Sequence, residues 1–160
     1  ANTTPHTHRA AAALMEQGIP FQALNKRHFR TKSMARMKLE GLILQHMKLY
    51  HGGTVAVACV TLDMMAQVGA TSEDTDDIAA FLGQIEGVLH TATIREHEGG
   101  EFRISVRTKA DLLNATRVCA RLGGGGHKAA SGCTVKGTLA QAEQSILAAI
   151  DEQLVQPTQD

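Results

Sequence analysis

The 160 residues carry 16 basic and 16 acidic side chains, so no net field draws the chain onto a polyanion and any anion recognition has to be local. Aromatic residues make up 3 % of the chain against 43 % hydrophobic, which implies a core of Ala, Val, Leu, Ile and Met and leaves little for base-stacking platforms. The length suits one domain of ordinary size, or a compact domain with a helical appendage.

Asn2, Thr3 or Thr4 ahead of Pro5 predicts a helix start, because proline at the first helical position gives up no needed donor. That helix is expected to run to about Gln17 and stop at Gly18. The basic stretch NKRHFRTKSMARMK, Asn25 to Lys38, reads as the solvated face of a linker helix, with a nucleic-acid patch as the alternative. Met34, Met37, Leu42 and Leu44 would supply its apolar side, and the helix is expected to reach about Tyr50.

GGTVAVACVTLDMM, from Gly52, opens with a turn and continues with β-branched residues too continuous for a surface strand; it predicts a central strand. Thr71 to Gly87 predicts a helix opened by a hydroxyl cap and the carboxylates Glu73, Asp74, Asp76 and Asp77. Those carboxylates would splay around a first turn, so capping is preferred to a divalent-metal site.

Val88 to Lys109 predicts a hairpin with its tip at His97 to Glu101. Its second strand puts Phe102, Ile104 and Val106 on one face and Arg103, Ser105 and Arg107 on the other. With the apolar triad inward, two guanidiniums and a hydroxyl line the opposite surface, and Arg95 extends it if the register allows. A guanidinium fork suits phosphate oxygens, although arginines on an exposed sheet face would look the same.

A helix is expected from about Lys109 to Leu122, then a glycine run, a strand in AASGCTV, and a helix from Thr138 to Leu154 with Leu139, Ala142, Ile146, Ala149 and Ile150 as its stripe. VQPTQD is expected to fray. Strands interleaved with helices predict an α/β fold, a mixed sheet flanked by helices and preceded by a helical linker segment.

RLGGGGHKAASG, Arg121 to Gly132, sets four glycines before His127. Consecutive glycines can form a concave nest of backbone N–H groups for an anion, or a flexible linker. The apolar helix before and the compact Ala-rich segment after favour a packed loop. Neither the Walker G-K-[ST] nor the G-x-G-x-x-G spacing is present. His127 could donate to a phosphate oxygen or serve a structural role. Cys59, Cys119 and Cys133 form no ligand-like spacing and are expected as small buried residues in a reducing compartment. No stretch reaches the roughly 20 apolar residues of a membrane span and no apolar signal block opens the chain, so the expected location is cytoplasmic, without a membrane partner.

GGGHKAASG, Gly124 to Gly132, resembles the G-G-G-H-x-x-A-A-G signature of the C-terminal domain of DHH phosphoesterases, with Ser131 in place of the second alanine. REHEGGEFRISVRT, Arg95 to Thr108, is similar to the preceding hairpin in the branch of oligoribonucleases that also dephosphorylate 3′-phosphoadenosine 5′-phosphate. NTTPHTHRAAAALMEQG looks like the junction where the catalytic domain of that branch ends.

The resemblance implies a substrate-binding domain over residues 51–160, with residues 1–50 as the helical end of a catalytic domain plus linker. In this family two manganese ions sit in the N-terminal domain on Asp and His residues, including an Asp-His-His string. This sequence has no adjacent histidine pair, and Asp74, Asp76 and Asp77 do not match the metal motifs. The chain is therefore expected to lack a cofactor and to be inactive alone, with manganese in the full-length protein.

Carried over, Gly124, Gly125, Gly126 and His127 would form a phosphate-side wall. Arg107 would grip phosphate assisted by Ser105, with Arg103 on the same face, Arg95 opening the hairpin and Asn114 near the base. Thr108 replaces the usual serine. The expected partners are a short oligonucleotide or phosphonucleotide and the catalytic domain of the same protein, and a homodimer is admitted. The alternatives are a stand-alone RNA-binding module related to the C-terminal domain of alanyl-tRNA synthetases, and a fragment of a cyclic-dinucleotide phosphodiesterase.

Overall fold

The computed structural model describes residues 3–155, so the expected fraying of the tail falls outside the described residues apart from Val155. Residues through Ser33 form one compact unit and those from Met34 onward another.

In the first unit, helix α1 spans Pro5–Glu16 as the sequence predicts. Thr4 caps it: its Oγ1 accepts from the Thr7 backbone N–H while the Thr7 hydroxyl oxygen accepts from the Thr4 N–H. Gly18, at φ +78°, ends it in the left-handed region. Helix α2, Phe21–Asn25, runs into a π-helical stretch at Lys26–Arg30.

The single helix expected across the basic cluster to Tyr50 is not formed. Thr31 turns extended, and a separate helix α3 covers Met34–His46. Lys48–Tyr50 is strand β1, drawn out of the helix by antiparallel pairing with strand β2, Val55–Val60. The connecting turn needs Gly52 and Gly53 at φ +64° and +94°. The buried side of α3 also differs from expectation: Met34, Met37 and Leu44 are exposed, while Leu39 and Ile43 are buried against Ala58 and Val60 of β2.

Helix α4, Leu62–Val68, follows β2. The helix expected over 71–87 is split. A 3-10 turn at Ser72–Thr75 is capped by Thr71 and Asp74, and helix α5 covers only Ile78–Leu82. Asp76 is extended and Asp77 sits at φ +58°, which breaks the run. Of the expected capping carboxylates Asp74 caps, its Oδ2 accepting from the Thr71 N–H at 2.9 Å, whereas Asp77 at the start of α5 makes no side-chain cap.

Strands β3, His90–His97, and β4, Glu101–Arg107, make the predicted hairpin. Helix α6 is shorter than expected, Ala115–Ala120, because residues 110–112 form a turn and the helix starts only where Asn114 caps it. Strand β5, Gly125–His127, lies inside the glycine run and pairs with strand β6, Ala130–Lys136. Helix α7, Leu139–Val155, carries the expected buried stripe of Ala142, Ile146, Ala149 and Ile150.

The six strands form one mixed sheet in the order β1-β2-β3-β4-β6-β5, with β2 and β3 parallel and the remaining pairs antiparallel. One face buries Val55, Val57, Ile94, Phe102, Ile104 and Val106 against α6 and α7, together with Cys119 and Cys133. Those two cysteines are buried as expected, whereas Cys59 is half-buried. Against the other face, α3 and α5 pack Leu39, Ile43, Ile78 and Leu82 over β2. The α/β class and the flanked mixed sheet agree with the sequence analysis. Among the described residues no helix is long and apolar enough to cross a membrane.

Candidate functional site

Side chains of paired residues in neighbouring strands share a face, so the strand registers determine which predicted site residues can meet. Arg107 pairs with Thr91 on β3 and with Ala130 on β6, and Ala130 pairs with His127 on β5. The next row holds Thr93, Ser105, Gly132 and Gly125, and the row beyond it Arg95, Arg103 and Thr134. All lie on the face opposite the α6–α7 core.

Helical cover on this face lies over β2 and the start of β3, where Thr91 Oγ1 donates to the Ala79 carbonyl at 3.1 Å, and α5 also comes close to β4. Arg103, Arg107 and His127 are exposed. The side chains of Arg103 and His127 have no hydrogen-bond or ion-pair partner among the described residues. Between the arginines and His127 the floor is Ser105, Gly132, Gly125 and Ala130, side chains small enough for a ligand to approach the sheet itself.

Two cavities open along this floor. One, of about 210 Å³, lies between the sheet and the turn entering α5; Arg95, Arg103, Ser105 and Arg107 line it with Asp76 and Asp77. The other, of about 370 Å³, is lined by Gly123, Gly124, Gly132 and Thr134 and shares Arg103 and Ser105 with the first. The predicted arginines and Gly124 therefore lie along one continuous cleft. Arg95, Arg103 and Arg107 enter this lining from β3 and β4, and Asp76 and Asp77 enter it from the turn before α5. Arg36 Nη2 fixes that turn by donating to the Asp76 carbonyl at 2.6 Å.

Not every predicted residue is free for a ligand. Arg95 Nη1 donates to Thr75 Oγ1 at 2.6 Å and its Nε to His97 Nε2 at 3.2 Å, so this guanidinium ties the 3-10 turn to the sheet. The Asn114 Oδ1 accepts from the N–H groups of Thr116 and Arg117, at 3.0 and 3.3 Å, and is spent on capping α6.

The glycines answer first to the fold. Gly123 ends α6 at φ +72°. A Cβ on Gly124 would stand 2.2 Å from the Gly132 carbonyl oxygen, and one on Gly126 would stand 2.7 Å from that of Ala130. By its pairing with Ser131, Gly126 points to the opposite face from Gly125 and His127. Only Gly125 has open space around it and no positive φ within this run.

Thr75 and Thr93, which the sequence analysis does not single out, also line the cleft, as do Asp76 and Asp77, read there only as capping carboxylates. The strand alternation that placed Arg95 could have found Thr93 two residues before it; nothing local marks the α5 turn as a wall. Guanidiniums, hydroxyls and small residues can hold and orient an anion. Among the described residues no group of three or more His, Cys, Asp or Glu could hold a metal ion, and no step is assigned to one.

Residues 52–156 match the DHHA1 domain family. The chain belongs to that family. A Thermus thermophilus protein described as "Bifunctional oligoribonuclease and PAP phosphatase NrnA" is 35 % identical over 156 residues, covering 96 % of this chain and 45 % of the relative. A Streptococcus mutans protein described as "Probable bifunctional oligoribonuclease and PAP phosphatase NrnA" is 26 % identical over 130 residues, covering 81 % of this chain and 41 % of the relative. The chain thus spans less than half the length of the curated relatives it matches. The crystal structure of an exopolyphosphatase-related protein from Bacteroides fragilis superposes with a TM-score of 0.83 at 23 % identity, over 94 % of this chain and 44 % of that one, and shows the same fold.

Proposed function

We propose that this DHHA1 domain grips the phosphate of a short oligonucleotide or phosphonucleotide and presents it to a catalytic domain of the same polypeptide, where manganese-dependent hydrolysis takes place. The observation that carries this reading is the single register row from Arg107 through Ala130 to His127, beside Arg103 and Ser105 on the same face. Fixed guanidinium forks match phosphate oxygens and the small floor admits the sugar-phosphate backbone. Neutral net charge and few aromatics disfavour a general RNA-binding surface, which would need a broad cationic track or stacking rings.

In this reading the residues before the sheet belong to the end of the catalytic domain and its linker, and the chain acts in the cytoplasm. The relatives' described activities support the substrate class, and the chain supplies binding rather than bond cleavage. Calorimetric titration with 5′-phosphorylated diadenylate, 3′-phosphoadenosine 5′-phosphate and a structured RNA tests it. The small phosphorylated ligands are expected to bind and to depend on Arg107. Preference for the structured RNA, unchanged by Arg107→Ala, would overturn the reading; hydrolysis by the chain with added manganese would overturn the division of labour.

A further inference from the structure

Thr93 is buried, 7 % exposed, and its Oγ1 has no hydrogen-bond partner among the described residues. Such a hydroxyl has no partner within the protein itself, and a buried polar group in a native structure ordinarily has one, from the protein or from a bound molecule. Its position suggests a bound molecule. Thr93 lines the 210 Å³ cavity together with Ser105 and Arg107, and it is the direct cross-strand partner of Ser105. The neighbouring threonine on the same face, Thr91, differs in having a carbonyl acceptor in α5. The cavity is smaller than the roughly 300–1,000 Å³ of sites that enclose a whole small molecule, so it is sized for one end of a ligand.

We infer that Thr93 is a further ligand-binding residue, whose hydroxyl donates to the same phosphate that Ser105 and the β4 guanidiniums hold. A threonine hydroxyl supplies one donor, and a phosphate offers oxygens enough to accept from two adjacent hydroxyls and a guanidinium together. On the sheet floor Thr93 and Ser105 lie side by side as cross-strand partners. This role rests on the phosphate reading of the cleft given above.

The test is titration of the chain and its Thr93→Val and Thr93→Ser variants with 5′-phosphorylated diadenylate, with thermal melts of the free proteins alongside. Thr93→Val keeps the shape and removes the unmet hydroxyl, so its melting temperature should equal or exceed that of the unchanged chain. Its affinity should fall about tenfold, the loss of one hydrogen bond to a charged group. Thr93→Ser should retain affinity within about threefold. Thr93→Val binding as tightly as the unchanged chain, while Arg107→Ala loses binding, would overturn the role of Thr93 and leave the phosphate reading standing. An unchanged chain that binds no phosphorylated probe would overturn both. A lowered melting temperature together with weakened binding in both Thr93 variants would assign the residue a structural role and overturn the inference.

Discussion

Arg107 of β4 and His127 of β5 stand on one face of the sheet in one register row, with only the methyl group of Ala130 between them. Two strand spacings separate them, about 10 Å. Arg107 lines the 210 Å³ cavity and His127 lines neither cavity, so a phosphorylated ligand that reaches both has to lie across β6.

Arg107→Ala should weaken binding of 5′-phosphorylated diadenylate by about 10- to 100-fold, the range for a hydrogen bond to a charged group. Its fold should be unaffected, because the side chain is exposed and makes only a 3.3 Å contact to the Val106 carbonyl. Calorimetry paired with far-ultraviolet circular dichroism checks both halves.

Ala130→Leu should block the same ligand without altering any charge. A branched side chain would rise from the floor between Arg107 and His127, where the ligand is expected to lie. The position is half-buried on the open face, so the melting temperature should stay close to that of the unchanged chain. Unimpaired binding in this variant would show that the ligand does not cross β6.

Gly124 and Gly125 should respond oppositely to alanine. A Cβ at Gly124 meets the Gly132 carbonyl oxygen at 2.2 Å and the Cys133 Cβ at 2.4 Å, whereas Gly125 has nothing within 4 Å. Gly124→Ala should cost about 1–3 kcal/mol or more in a urea unfolding experiment, the scale of forced overpacking. Gly125→Ala should remain within about 0.5 kcal/mol of the unchanged chain, as for substitutions away from packed sites.

Stability should begin to fall on acidification before the carboxylates titrate. His90 is 3 % exposed. Burial, helped by the nearby His51, holds its imidazole below the ordinary pKa of 6.5. The unfolded chain therefore takes up a proton at a pH where the folded chain resists it. This stabilisation is fully present above pH 6.5 and is lost as the pH falls through the folded value. Urea midpoints measured from about pH 7.5 down to about pH 5.5 should decline in the unchanged chain and flatten in His90→Gln, which has no proton to gain over this range.

The arginine face was legible in the sequence because a strand alternates with period two: Phe102, Ile104 and Val106 inward dictates Arg103, Ser105 and Arg107 outward. The amphipathic stripe of α7 was legible for the same kind of reason. Strand β5 was not, since glycines carry no pattern and its strand character comes from pairing with β6. The demand for glycine at position 124 likewise arises from a backbone approached from across the hairpin. Strand β1 is three residues long, too short for any periodicity, and read as the end of a helix. The resemblance to DHH phosphoesterases places Asn114 near the base; in the structure its Oδ1 caps α6, a role its residue type also signals.

The most direct test of the phosphate cleft is a crystal structure of the chain with 5′-phosphorylated diadenylate bound. The phosphate is expected over Ser105 and Gly132, within hydrogen-bonding distance of Arg107 and with His127 reaching the same ligand from across Ala130. A ligand seated away from this face, or one touching Arg107 with His127 turned toward a different region, would contradict it.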